Sequence, residues 1–240
     1  MIHLETKDVI KWWGFPNSTI INRNLPKTQI YPHMKEATDK HFLQDSVQNI
    51  YVLATLRKDN TNIDVYEDDK ELYQEIQFLY VKTKGKGDST KIYKMLSLLI
   101  PYPLVILTDE PDSFTIYTGR FEKKSTGYLN LANIYPSPVY QDEELQMVLH
   151  RISFINLPNQ NMKVLYDGIR DEIATFMAKV QYGETVGHID SEKKDKLDDL
   201  KKQMEDLRSN IKKEPQLNRK IDMQMKLKKL KDEFSSEINH

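Results

Sequence analysis

Glu75-Ile76-Gln77-Phe78-Leu79-Tyr80-Val81-Lys82, the loop Lys84-Gly85-Lys86-Gly87-Asp88, and Leu104-Val105-Ile106-Leu107 beyond it decide the fold. In residues 72–82, Ile76, Phe78 and Tyr80 alternate with Gln77, Leu79 and Val81. One face is apolar and the other only partly polar, the pattern of a strand deep inside a sheet. Asp88 or Ser89 is placed to cap a helix over 90–100, which carries Ile92, Met95, Leu96 and Leu99 on one side. Pro101 and Pro103 end that helix and set the angle at which the next strand enters. Strands follow at 104–107 and 114–117 with a turn at 109–112. A strand, a helix and a returning strand form a βαβ crossover.

Working outward, the spacing predicts a helix over 7–13, stopped by Gly14 and Pro16, and short extended pieces at 18–22 and 29–31 around Pro26. A helix over 35–44 turns Phe42 and Leu43 inward. A strand at 50–56 runs into a polar turn at 57–62, and 63–65 reads as a further short strand. An extended piece covers 128–135. Helices cover 142–154 and 161–181, the second with Val164, Leu165, Ile169, Ile173 and Met177 inward. Residues 182–190 are a linker.

The last fifty residues are purely helical. Leu197, Leu200, Met204, Leu207 and Ile211 recur at three- and four-residue spacings, and after a break at 212–215 so do Met223, Leu227, Leu230, Phe234 and Ile238. Two such seams describe an antiparallel hairpin of coiled-coil type. Met225 is the only other apolar residue within the seams, so each arm reads as having one apolar face. The ten seam side chains can satisfy each other, leaving little apolar surface for a further partner. The expected architecture is α+β: a mixed sheet with packed helices over 1–182, followed by a C-terminal antiparallel helical hairpin over 190–240.

Bulk properties narrow the function classes. The net charge of −1 gives no global case for nucleic acid or membrane binding, so any basic surface is local. The chain has no cysteine, which excludes disulfides, zinc ribbons and thiol catalysis. The N-terminus lacks the apolar core of a signal peptide, and no apolar run approaches the roughly 20 residues of a membrane span. The expectation is a soluble, cytoplasmic protein without membrane contact.

Candidate chemistry is sparse. Lys82-Thr83-Lys84-Gly85-Lys86-Gly87 has glycines that let backbone N–H groups approach an anion, but Asp88-Ser89-Thr90 stands where a phosphate loop needs Lys-Ser/Thr. Asp64, Glu75 and Lys82 evoke a scattered Asp…Glu-x-Lys nuclease core, yet residue 77 is Gln; an ion pair between Glu75 and Lys27 is the expected structural alternative. The six histidines, His3 and His240 among them, lack metal-ligand spacing, and no Gly-x-Ser-x-Gly elbow occurs. Exposure of Trp12 or Trp13 would mark a partner surface. No catalytic residue, metal or cofactor is assigned.

The residues singled out for contact with a partner or a nucleic-acid backbone are Lys82, Lys84 and Lys86 in the loop, and Lys212, Lys213, Asn218, Arg219 and Lys220 at the hairpin tip. The alternative is a tip whose polar groups merely cap the loop. Lys226, Lys228, Lys229 and Lys231 add a basic stretch, set against Asp198, Asp199, Glu205 and Asp206 on the opposing arm; interhelical pairing and nucleic-acid binding both fit.

Several blocks carry a family resemblance: Leu25-Pro26-Lys27-Thr28-Gln29-Ile30-Tyr31; Leu53-Ala54-Thr55-Leu56 with Asn60-Thr61-Asn62-Ile63; Glu75-Ile76-Gln77-Phe78; Ile100-Pro101-Tyr102-Pro103; and Gln216-Leu217-Asn218-Arg219-Lys220-Ile221. The chain resembles the bacterial DUF4391 family, a domain of unknown function. The resemblance implies an accessory protein encoded beside DNA methyltransferases and helicases in restriction-modification or anti-phage defence clusters. The expectation is therefore a non-catalytic adaptor subunit with a helicase or methyltransferase as protein partner, and with self-association through the hairpin as a further option. A nucleic-acid-binding module and a metal-dependent nuclease are the alternatives.

Overall fold

The structure, a computed structural model, describes residues 4–85, 87–124, 127, 129–183 and 186–239. Two compact units divide the chain, Met1–Ile173 and Ala174–His240.

In the first unit, α1 (Thr6–Trp13) ends at Gly14, whose φ of 67° supplies the left-handed C-cap. After a 3₁₀ turn come β1 (Ile20–Asn24), the one-turn α2 (Lys27–Ile30), α3 (Ala37–Ser46) and β2 (Val47–Arg57). Residues 29–31 are thus helical, a correction of the extended reading. Pro26 sits at the N-cap with φ −61°, a geometry that starts a helix as readily as it ends a strand. The turn after β2 is α4 (Lys58–Thr61), closed by Asn62 at φ 59°.

Residues 63–65 do not form a strand of their own. Asp64 makes one isolated bridge with Asn161, and the pairing lies further on, between β3 (Tyr66–Glu67) and β4 (Leu72–Tyr73). The predicted strand at 72–82 is accordingly broken at Gln74, and its main part is β5 (Glu75–Thr83).

The crossover follows as the sequence required: α5 (Ser89–Leu99), with the Asp88 carboxylate accepting from the Lys91 N–H at 2.9 Å, then β6 (Leu104–Glu110), parallel to β5. β7 (Ser113–Lys123) and β8 (Leu129–Pro136) complete an antiparallel meander; Tyr128, the start of the expected extended piece, lies outside the described residues. α6 (Asp142–Arg151) stops three residues short of the predicted end, and α7 (Met162–Tyr182) continues into the second unit. The six-stranded sheet has the order β1-β2-β5-β6-β7-β8, antiparallel except at β5–β6.

Because successive residues of a strand face opposite ways, β5 feeds two cores. Phe78 meets Trp13 and Phe15 at centroid distances of 5.2 and 4.8 Å. Leu79 and Val81 join Ile92, Leu96 and Ile106 on the other side. Gln77 N–H donates to the Pro103 carbonyl, so the Pro101–Pro103 block also fixes the start of the parallel pair.

The second unit holds the end of α7, then α8 (Ser191–Lys213) and α9 (Leu217–Asn239), which pack on each other. Among the described residues, no helix is long and apolar enough to cross a membrane.

Candidate functional site

The hairpin is anchored at its base. Asp190 caps α8 by accepting from the Lys193 N–H at 2.7 Å. Thr175 Oγ1 donates to the Ile189 carbonyl and accepts from its N–H, both at 3.0 Å. Ala178, Val186, Ile189 and Leu197 form a buried cluster against which Tyr182, Phe234 and Ile238 pack. The Tyr182 ring stands edge-on to Phe234 at 5.3 Å, and its hydroxyl donates to Asp198. Burial and that carboxylate push the Tyr182 pKa up, so the donor stays protonated. Lys194, only 4% exposed, pairs with the other oxygen of Asp198.

Along the arms, Leu197, Leu200 and Met204 are buried, while Leu207, Ile211 and the α9 seam are half-buried. The ion pairs across the hairpin run opposite to expectation. Lys196 of α8 reaches Glu237 at 2.6 Å and Glu233 at 3.7 Å on α9. Asp198 is held by Tyr182 and Lys194, and Asp199 accepts from Gln203. Among the described residues, no ion pair joins Lys226, Lys228, Lys229 or Lys231 to α8, although Lys226 and Lys229 share a shallow groove with Asp206. These lysines therefore keep their charge for solvent or a partner.

The tip brings together five of the residues singled out in the sequence. Lys212 and Lys213 close α8; Glu214 accepts from the Gln216 N–H at 2.9 Å; Asn218, Arg219 and Lys220 open α9. Residues 208–231 carry nine Lys and Arg against two acidic residues, a local charge of +7 in a chain whose total is −1.

The structure adds what the sequence reading overlooked. Leu217, Ile221 and Met225 are 70%, 46% and 60% exposed. Their four-residue spacing aligns them in a stripe about 140° around α9 from its seam, taking 100° per residue. Hence α9 has two apolar faces, not one. The signal was legible in the spacing 217, 221, 225, but Leu217 and Ile221 precede the first seam residue, Met223.

Of the loop lysines, Lys82 and Lys84 each have a partner of their own. Lys82 Nζ lies 3.6 Å from Asp109, which also accepts the Tyr80 hydroxyl; Lys84 Nζ donates to the Gln44 carbonyl at 2.7 Å; Lys86 lies outside the described residues. Lys82 borders a cavity of about 570 Å³ whose other charged lining is acidic, with Asp109, Glu110, Asp112 and Asp142. A phosphate placed there would meet carboxylates.

Nor is the expected Glu75–Lys27 pair present. Glu75 accepts from Gln77 Nε2 at 2.7 Å, and Lys27 donates to the Val47 carbonyl at 2.6 Å. Burial and then the nearby Lys84 charge lower the Lys27 pKa. Asp64 is paired with Lys58 at 2.8 Å. Among the described residues, no group of three or more acidic or histidine side chains is placed to hold a metal; His3 and His240 lie outside them. Of the tryptophans, Trp13 is buried against Phe15, and Trp12 is half-exposed beside Met147.

A family model described as Domain of unknown function (DUF4391) matches residues 13–234. No curated protein and no solved structure matches the chain.

Proposed function

Because the chain belongs to the DUF4391 family across residues 13–234, we propose that it works as a non-catalytic accessory subunit of a bacterial DNA-handling complex, of restriction-modification or anti-phage type. The tip half of its hairpin is the docking arm. One observation carries this reading: α9 keeps a solvent-exposed Leu217–Ile221–Met225 stripe within a segment of charge +7. Exposed apolar side chains in line on a helix fit a groove on a partner, and the surrounding lysines call for an acidic rim on that groove. The occupant is therefore an acidic protein surface, on the helicase or methyltransferase encoded alongside. The same charge opposes self-association through the tip, since two copies would bring like charges together.

Co-expression of the full chain with each neighbouring gene product tests the proposal. Co-elution of a stoichiometric complex, lost in a Lys226→Glu/Lys228→Glu/Lys229→Glu variant, is the expected result. A chain that stays monomeric beside every neighbour sinks it.

A nucleic-acid-binding arm is the second reading, favoured by the α9 lysines that, among the described residues, form no ion pair with α8. It requires binding that weakens steeply as salt rises. A mobility-shift titration with duplex DNA and RNA at low salt decides the matter, and the absence of any shift disposes of it.

A further inference from the structure

A groove beside the edge strand β1, on the side of β5 that carries Leu79 and Val81, is a second candidate site, built by two irregularities in register. Between the pairs Ile20↔Ala54 and Arg23↔Val52, β1 carries one residue more than β2, and Asn22 there adopts φ 42°. Between Val52↔Leu79 and Ala54↔Phe78, β2 carries one residue more than β5, namely Leu53. An extra residue shifts the alternation of everything beyond it. Thr55 and Arg57, rather than Ala54 and Leu56, therefore share a side with Val52, opposite Gln77 and Glu75. Bulges and non-glycine residues at positive φ concentrate where a side chain must be re-aimed, and here both bracket one groove.

That groove has a volume of about 400 Å³, within the range of small-ligand sites. Ile21 and Val52 give it an apolar floor, and Arg23 and Arg57 add two guanidinium groups. Arg23 is exposed and has no ion-pair partner among the described residues. Arg57 Nε lies 3.3 Å from Asp59, but both side chains are more than half exposed, so an incoming anion exchanges easily with that carboxylate. The 2.7 Å hydrogen bond from Gln77 orients the Glu75 carboxylate and leaves its second oxygen as an acceptor. Residues from three separated sequence blocks, Gln29, Thr55 and the Glu75–Gln77 pair, meet in this one place.

We propose that this groove binds single-stranded nucleic acid, seating one nucleotide at a time. Guanidinium groups suit phosphate, the Glu75 oxygen accepts from the amino group of a base, and the apolar floor receives the flat face of the ring. An anion, a hydrogen-bonding edge and an apolar face occur together in a nucleotide. A duplex hides the Watson–Crick edges and the ring faces of its bases, whereas a single strand exposes both and can run along the sheet edge.

Fluorescence anisotropy of the full chain with labelled oligonucleotides of about 15 nucleotides at low salt is the test. The expected result is binding to a single strand in preference to a duplex of the same length, weakened about tenfold or more by Arg23→Glu or by Arg57→Glu. Glu75→Gln should weaken oligo-dC more than oligo-dT, since thymine lacks an amino group. If the groove is the site, Arg23→Glu weakens binding more than the Lys226→Glu/Lys228→Glu/Lys229→Glu variant does, although the latter changes the net charge three times as much. Absence of binding, equal binding to duplex, or affinity indifferent to Arg23→Glu overturns the proposal. Arg23→Glu also leaves co-elution with a protein partner unchanged, so the groove and the docking arm fail or survive separately.

Discussion

Replacing Leu197 by alanine tests how the hairpin is held. Leu197 is fully buried and packs with Ala178, Val186 and Ile189 at the base, where α8 leaves the loop after α7. Truncation removes three carbons, worth about 2.4 kcal/mol at 0.8 kcal/mol per methylene, and leaves a cavity that adds roughly another 1 kcal/mol. A loss of about 3–4 kcal/mol corresponds to two to three decades in the opening equilibrium of the hairpin. Hydrogen exchange followed by mass spectrometry reads this directly. Peptides from α8 and α9 should lose that much protection while β5 and β6, in the other compact unit, keep theirs. Ile221→Ala is the matched control. Its side chain is 46% exposed, so it should move protection by no more than about 0.5 kcal/mol. Unchanged protection in α8 and α9, or an equal loss in β5, would refute the reasoning that the base cluster holds an independently opening hairpin.

Two further outcomes follow from the first unit. Gly119→Ala places a Cβ 2.5 Å from Leu131 Cδ1, 2.8 Å from the Tyr93 hydroxyl and 3.1 Å from the Asn133 carbonyl. Urea unfolding should show a loss of about 2–3 kcal/mol, and a midpoint equal to wild type would contradict the packing described. Burial pushes the Tyr166 hydroxyl up to about 12 and raises Tyr93 as well. A folded pKa above the ordinary 10 means that this stability is complete below pH 10. It is lost as pH climbs from 10 towards 12, by about 1.4 kcal/mol per unit for each such tyrosine. Thermal melts should fall between pH 9 and pH 11; identical melting temperatures would rule out protonated, buried tyrosines as the cause.

What the sequence disclosed was local. The β5–α5–β6 crossover and both hairpin seams were readable because their periodicities run over a few residues and their caps and proline stops lie beside them. The tip cluster was readable because a hairpin keeps sequence neighbours together, so Lys212 to Lys220 had to converge. What stayed hidden depends on register between distant strands. The extra residue at Leu53 has no composition signal, yet it determines which side Thr55 and Arg57 take. Gln77, two residues beyond Glu75 on the same strand, holds Glu75 in place of the expected Lys27, and Lys27 turns to the Val47 carbonyl. Likewise, opposing charges on α8 and α9 suggested ladders, but Asp198 is spent on Tyr182 and Lys194 at the base. The second stripe of α9 stands apart from the seam for a simpler reason: it starts at Leu217, six residues before the first seam residue, Met223.

The proposed docking arm is tested most directly by the affinity of the purified chain for the helicase or methyltransferase proposed as its partner, by titration calorimetry, with and without Leu217→Gln/Ile221→Gln/Met225→Gln. Those side chains are 70%, 46% and 60% exposed, and burying what is exposed is worth roughly 3–5 kcal/mol at 1.5–3 kcal/mol for each fully buried side chain. A loss of affinity of two decades or more, with helicity unchanged, is the predicted result. Full affinity in the triple variant, or no association in the wild type, would contradict the account.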